Sequence, residues 1–109
     1  RYESSAASDV YKRQVEENKK LAFKWLQISA KQGHPRAQNN VGVMYFKGEG
    51  VQKNLLLAQM WYMISASKGM QEAIENMNTL KGNLTDKEIS LIKQMVKNCM
   101  VSNYQTCEK

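Results

Sequence analysis

The sequence predicts an all-α fold, a solenoid of stacked antiparallel helix pairs with one further helix sealing its C-terminal end. Three observations carry that expectation. The first is an internal repeat. Sliding the chain by 36 residues lays Val15, Asn18, Leu21, Ala22, Trp25, Ile28, Ser29, Ala30, Gly33, Ala37 and Asn40 on identical residues, eleven identities in 26 positions without a gap. A period in this range is that of helix-pair repeats. The second is punctuation, since Gly33 and Gly69 stand at the same place in the two copies, where a left-handed residue ends a helix. The third is composition: one proline, six glycines and 24 % charged residues in 109 positions suit a small helical globular domain rather than a disordered chain.

The elements follow in order. A first helix is expected over Glu16 to Gln32, with Leu21, Trp25, Ile28 and Gln32 on one stripe and Ala22 and Ser29 beside it. His34 then stands at the N-cap position and Pro35 at the first helical position, where its missing N–H costs nothing, so the turn is short and the hairpin antiparallel. The second helix is expected from about Pro35 to Lys47, with Ala37, Val41 and Tyr45 repeating every four residues. Gly42 inside it costs about 1 kcal/mol against alanine, which implies close approach of a neighbouring helix. Gly48 and Gly50 end that helix, and Asn54 caps a third, Leu55 to Lys68, with Leu57, Ala58, Trp61, Ile64 and Ser65 as its stripe. Trp25 and Trp61 hold equivalent places and are both expected in the core. A fourth helix over Gln71 to Leu80 keeps Ala73 and Asn76. Thr85-Asp86-Lys87-Glu88 has the form of a capping box and opens a fifth helix, to about Ser102, with Ile89, Ile92, Met95 and Val96 apolar. Terminal units of a solenoid are atypical because they seal the open end, and this helix is expected to be that seal.

The pattern Ala37-x-x-x-Val41-Gly42-x-x-Tyr45-x-x-Gly48-x-Gly50-Val51, followed by Asn54, Ala58, Trp61, Ser65-Ala66 and Gly69, resembles the Sel1-like repeat family, which belongs with the tetratricopeptide-type solenoids. The resemblance covers roughly residues 15 to 80. It implies a right-handed superhelix and a role in protein binding, as an adaptor or scaffold, with no cofactor.

The start of the chain has a different character. Ser4 to Gln14 reads SSAASDVYKRQ and looks like a transposase adaptor of sequencing libraries translated in frame, so it is set aside from fold reasoning and expected to be non-native and unstructured; an ordinary polar tail is the alternative. Position 14, where the repeat calls for the counterpart of Gly50, is Gln14, and the match begins at Val15. The division expected is therefore 1–14 adaptor-like, 15–84 repeats with the first one truncated, and 85–109 the capping helix with a cysteine-containing tail, the native N-terminus being missing.

Catalysis finds little to work with. His34 is the single histidine and reads as a cap. Ser65-Ala66-Ser67-Lys68 has the S-x-x-K form of penicillin-recognising enzymes, but it ends a helix instead of beginning one, and neither S-D-N nor K-T-G follows. A β-lactam-reactive protein is thus a remote alternative, and a structural envelope protein without a specific ligand a nearer one. No metal site is expected, and the seven methionines, scattered over four helices, read as core filling more readily than as an adaptable binding surface. The net charge of +6 is spread along the chain, a solvated basic surface or one that meets acidic partners. Nucleic acid is not expected, for want of a binding motif, and no apolar run approaches the ~20 residues of a membrane span.

What remains is surface geometry. Solenoids bind on the concave wall made by the first helix of each pair. In the second helix the core takes Ala37, Val41, Gly42 and Tyr45, leaving Arg36, Asn39, Val43, Phe46 and Lys47. Arg36, Asn39, Val43 and Phe46 follow helical spacing on one stripe expected to be exposed, and Glu72, Glu75 and Thr79 continue it one repeat later. The resemblance places ligand contacts on this face, for a protein or peptide partner; ordinary surface, packed against a missing preceding repeat, is the alternative.

Finally, Cys99 and Cys107 invite a disulfide, and with it a periplasmic or secreted, bacterial setting. A helix running through both would hold their Cα atoms ~12 Å apart, beyond the ~7 Å a bridge allows. The helix is expected to stop near Ser102 or Asn103 and the chain to fold back, laying Tyr104 against the capping helix. Two free thiols are the alternative.

Overall fold

The structure, a computed structural model, describes residues 5–108, with side chains from residue 16 onward. Among these residues there are five helices and no strand: α1 Ser5–Lys31, α2 Pro35–Lys47, α3 Leu55–Ala66, α4 Gln71–Lys81 and α5 Asp86–Val101. α1 packs with α2 and α3 with α4; α2 and α5 both lie against α3, which occupies the middle of the stack.

The capping chemistry sets the boundaries. Asn54 accepts the Leu57 N–H at 3.0 Å, and the capping box is complete: Thr85 Oγ1 accepts from Glu88 N at 3.1 Å while Glu88 Oε1 accepts from Thr85 N at 2.9 Å. His34 takes the N-cap position of α2 without a side-chain bond. Gly42 is buried because α3 comes up against it: a Cβ there would meet the Tyr62 ring at 2.7 Å and the Ala58 carbonyl at 3.1 Å.

The turn after the first helix of each pair recurs three times. Gly33 N donates to Ala30 O and His34 N to Ser29 O; Gly69 N donates to Ala66 O and Met70 N to Ser65 O; Asn103 N donates to Met100 O and Tyr104 N to Cys99 O. By this register Cys99 stands where Ser29 and Ser65 stand. Cys107, eight residues further on, stands where the buried Ala37 and Ala73 stand. α5 therefore opens a third unit, in which a covalent bridge occupies the position of the small Ser and Ala residues in the other two. Ser102 Oγ accepts from Gln105 N and Thr106 N, and Asn103 and Tyr104 adopt left-handed backbone angles, so the chain reverses directly after α5.

Three expectations are corrected. α1 begins at Ser5, so Ser5 to Gln14 is helical rather than unstructured; the stretch contains neither glycine nor proline, and its Ala, Lys, Arg and Gln residues extend a helix readily. Second, the α1 stripe of Leu21, Trp25 and Ile28 is exposed, Trp25 at 64 %, whereas Trp61 is fully enclosed. α1 turns Phe23, Leu26 and Ala30 inward instead, with the Phe23 ring edge-on to Tyr45 at 5.2 Å. The cause is position in the stack. α3 is covered on several sides and α1 chiefly on one, so equivalent residues meet different surroundings. Third, Tyr104 lies under the Lys68 ammonium, 4.7 Å from its ring centroid, beside the Gly33 turn, where α5 was the neighbour expected.

Candidate functional site: two faces of the helix stack

The stripe expected on α2 divides. Arg36, Phe46 and Lys47 are exposed and Val43 is half-buried. Asn39 is not exposed but 2 % accessible, because α4 comes alongside and Asn76 Nδ2 donates to Asn39 Oδ1 at 3.0 Å. Val43, Phe46 and Lys47 then line a groove of about 280 Å³ with Asn76, Thr79 and Leu80 of α4, over Tyr62 of α3. Phe46 leaves 39 % of its surface open. This groove belongs to the second helices of the two pairs, so it is a different face from the wall of first helices.

A second arrangement appears where α1, α2 and α3 meet. Glu108 is drawn to three donors from three helices: Tyr45 Oη donates to Oε2 at 2.6 Å, Trp61 Nε1 donates to the same oxygen at 3.3 Å, and Gln27 Nε2 donates to Oε1. Tyr45 and Trp61 are core residues whose rings pack inside while their polar tips need acceptors. Burial, then the hydrogen bond to Glu108 and its charge, push the Tyr45 hydroxyl far above its ordinary value near 10. Burial pushes Tyr62 up to about 12. Sequence reasoning missed this site, since the partners lie 47 to 81 residues from Glu108. The available signal was the pair of polar-tipped rings at core positions of the repeat.

Two matches to the family model described as Sel1 repeat cover residues 11–34 and 35–70, more than half of the chain. The chain belongs to the Sel1 repeat family. No curated protein and no solved structure matches it. Sel1 repeats are generally protein–protein interaction modules and typically non-enzymatic. The boundary between the two matched units falls at the α1–α2 turn, so the second Sel1 unit is α2, the Gly48–Asn54 loop and α3, and the first begins inside the adaptor-like stretch. Ser65 of this Sel1 chain is fully enclosed and its hydroxyl donates to the Pro35 carbonyl at 2.7 Å. A serine so placed ties the start of α2 to α3. Cys99 and Cys107 are joined, with Cα atoms 4.2 Å apart. Among the described residues no helix is long and apolar enough to cross a membrane.

Proposed function

We propose that this Sel1 repeat chain is a protein-binding module, an adaptor or scaffold, that takes a peptide or protein segment into the groove between α2 and α4. One observation carries the reading: Val43 and Phe46 present apolar surface beside Lys47, Asn76 and Thr79, with Arg36 further along the same helix. Apolar anchors flanked by groups that bond a peptide backbone suit a protein partner. At about 280 Å³ the groove lies at the lower edge of the range for small-molecule sites, ~300–1,000 Å³, and fits one or two side chains of a larger partner. Asn39 supports the groove through Asn76 instead of touching the partner.

The experiment is capture of partners by immobilised protein, with far-UV circular dichroism on every variant. Phe46→Ala and Arg36→Glu should each weaken capture with helicity and Tm unchanged. Capture that persists in both variants, or that fades only as helicity does, would refute the groove.

The setting belongs to the same reading. A bridge between Cys99 and Cys107 is compatible with the periplasm or the exterior, where disulfides persist. Thiol titration of unreduced, denatured protein should find none; two reactive thiols per chain would end the argument for an oxidising compartment.

A further inference from the structure

The segment following α5 does more than close the stack. It leaves α5 through the reversal at Asn103 and Tyr104, is held by Lys68, which donates to the Gly33 carbonyl and covers the Tyr104 ring, and ends the described chain with Glu108 against α1, α2 and α3. The bridge fixes Cys107, the residue next to Glu108, to α5. Gln27 of α1, Tyr45 of α2 and Trp61 of α3 then converge on one carboxylate.

All three donors are neutral, and they come from elements far apart in sequence. An amide, a phenol and an indole N–H aimed at one point make a site selective for a bidentate oxygen acceptor, because Trp61 donates only and each oxygen of an ionised carboxylate only accepts. Charge-assisted bonds of this kind are stronger than neutral ones. The site contains no cation among its three donors, so its preference for a carboxylate comes from directed N–H and O–H groups. The overall charge of +6 attracts acidic chains to the molecule at long range.

We propose that Gln27, Tyr45 and Trp61 form a carboxylate-recognition site where α1, α2 and α3 meet, that its ligand is an acidic side chain of a peptide partner, and that Glu108 is a built-in occupant held in place by the Cys99–Cys107 bridge. The site is separate from the α2–α4 groove and does not depend on it. As a tethered group, Glu108 competes at an effective concentration on the order of millimolar. An external acidic peptide therefore binds weakly until Glu108 is removed or its tether opened.

The test uses the full chain and a fluorescein-labelled hexaglutamate peptide, with hexaglutamine as its uncharged control, read by fluorescence anisotropy. Glu108→Ala should bind hexaglutamate at least tenfold tighter than the wild type and leave hexaglutamine unaffected. Dithiothreitol, which opens the bridge to two thiols and itself becomes the disulfide, should move the wild type in the same direction. Adding Tyr45→Phe to Glu108→Ala should lose most of the gain, with the ring and its packing retained; Gln27→Leu, at a half-buried position, is the second variant should Tyr45→Phe disturb folding. Phe46→Ala should leave hexaglutamate binding unchanged. Equal affinity of Glu108→Ala and wild type, or equal binding of the two peptides, would overturn the proposal. Loss of hexaglutamate binding in Phe46→Ala alone would overturn it too, while leaving the α2–α4 groove standing.

Discussion

Trp25 and Trp61 are the same residue in repeat register, and substituting each by alanine separates what register dictates from what surroundings dictate. Trp61 is fully enclosed, and its one polar atom is bonded to Glu108. Truncating such a ring costs about 3–5 kcal/mol through lost transfer energy and the cavity left behind. For a domain of this size each kcal/mol corresponds to ~4–8 °C, so Trp61→Ala should lower Tm by on the order of 12 °C or more. Trp25 is 64 % exposed, and Trp25→Ala should stay within about 0.5 kcal/mol of the parent. Urea unfolding followed by far-UV circular dichroism measures both without relying on the fluorophore removed. Acrylamide quenching gives an independent reading: the Trp61→Ala variant, retaining Trp25, should quench readily and the reciprocal variant poorly. Similar stability losses in the two variants, or a Trp61 open to quencher, would refute the placement of α1 at the edge of the stack.

Other perturbations test other contacts. Gly42→Ala gains helix propensity of about 1 kcal/mol but drives a Cβ against the Tyr62 ring, and overpacking of this kind costs about 1–3 kcal/mol; a net stabilisation in urea would contradict the α2–α3 contact. The raised Tyr62 hydroxyl, at about 12 in the fold against an ordinary value near 10, favours the folded state while both states are protonated. Its contribution is thus complete below pH 10 and lost as pH rises toward 12; Tyr62→Phe should flatten the fall in stability across that window, and an unchanged slope would refute it. Deleting residues 1–14 should leave Tm essentially unchanged, because the repeat identities begin at Val15; a fall of many degrees would tie the Ser5–Gln14 part of α1 to the fold.

The four helices after the first were legible to within a residue or two, and three of them carry their own start chemistry. Pro35 follows Gly33, Asn54 precedes a leucine run, and Thr85 and Glu88 bond each other's backbone. What was not legible is which face of α1 is covered. α1 carries two apolar stripes, Leu21–Trp25–Ile28 and Phe23–Leu26–Ala30, and the register with α3 favoured the first. α3, buried nearly all round, offers no single inward face to copy. Asn39 misled for a related reason: its spacing along α2 says nothing of α4 arriving beside it with Asn76. The carboxylate site lay out of reach of any local pattern, since Gln27, Tyr45, Trp61 and Glu108 meet only after the whole stack has formed.

The bare stripe of Leu21, Trp25 and Ile28 also sets the order in which the molecule comes apart. In a linear array each unit is stabilised by its immediate neighbours. α3 has α2, α4 and α5 around it, while α1 lies chiefly against α2. Opening should therefore begin at α1 and travel inward, with amide exchange fastest in that helix and slowest in α3, where it requires the whole domain to unfold. The disulfide holds the segment after α5 in place, so α1 must release the Gln27–Glu108 bond as it opens.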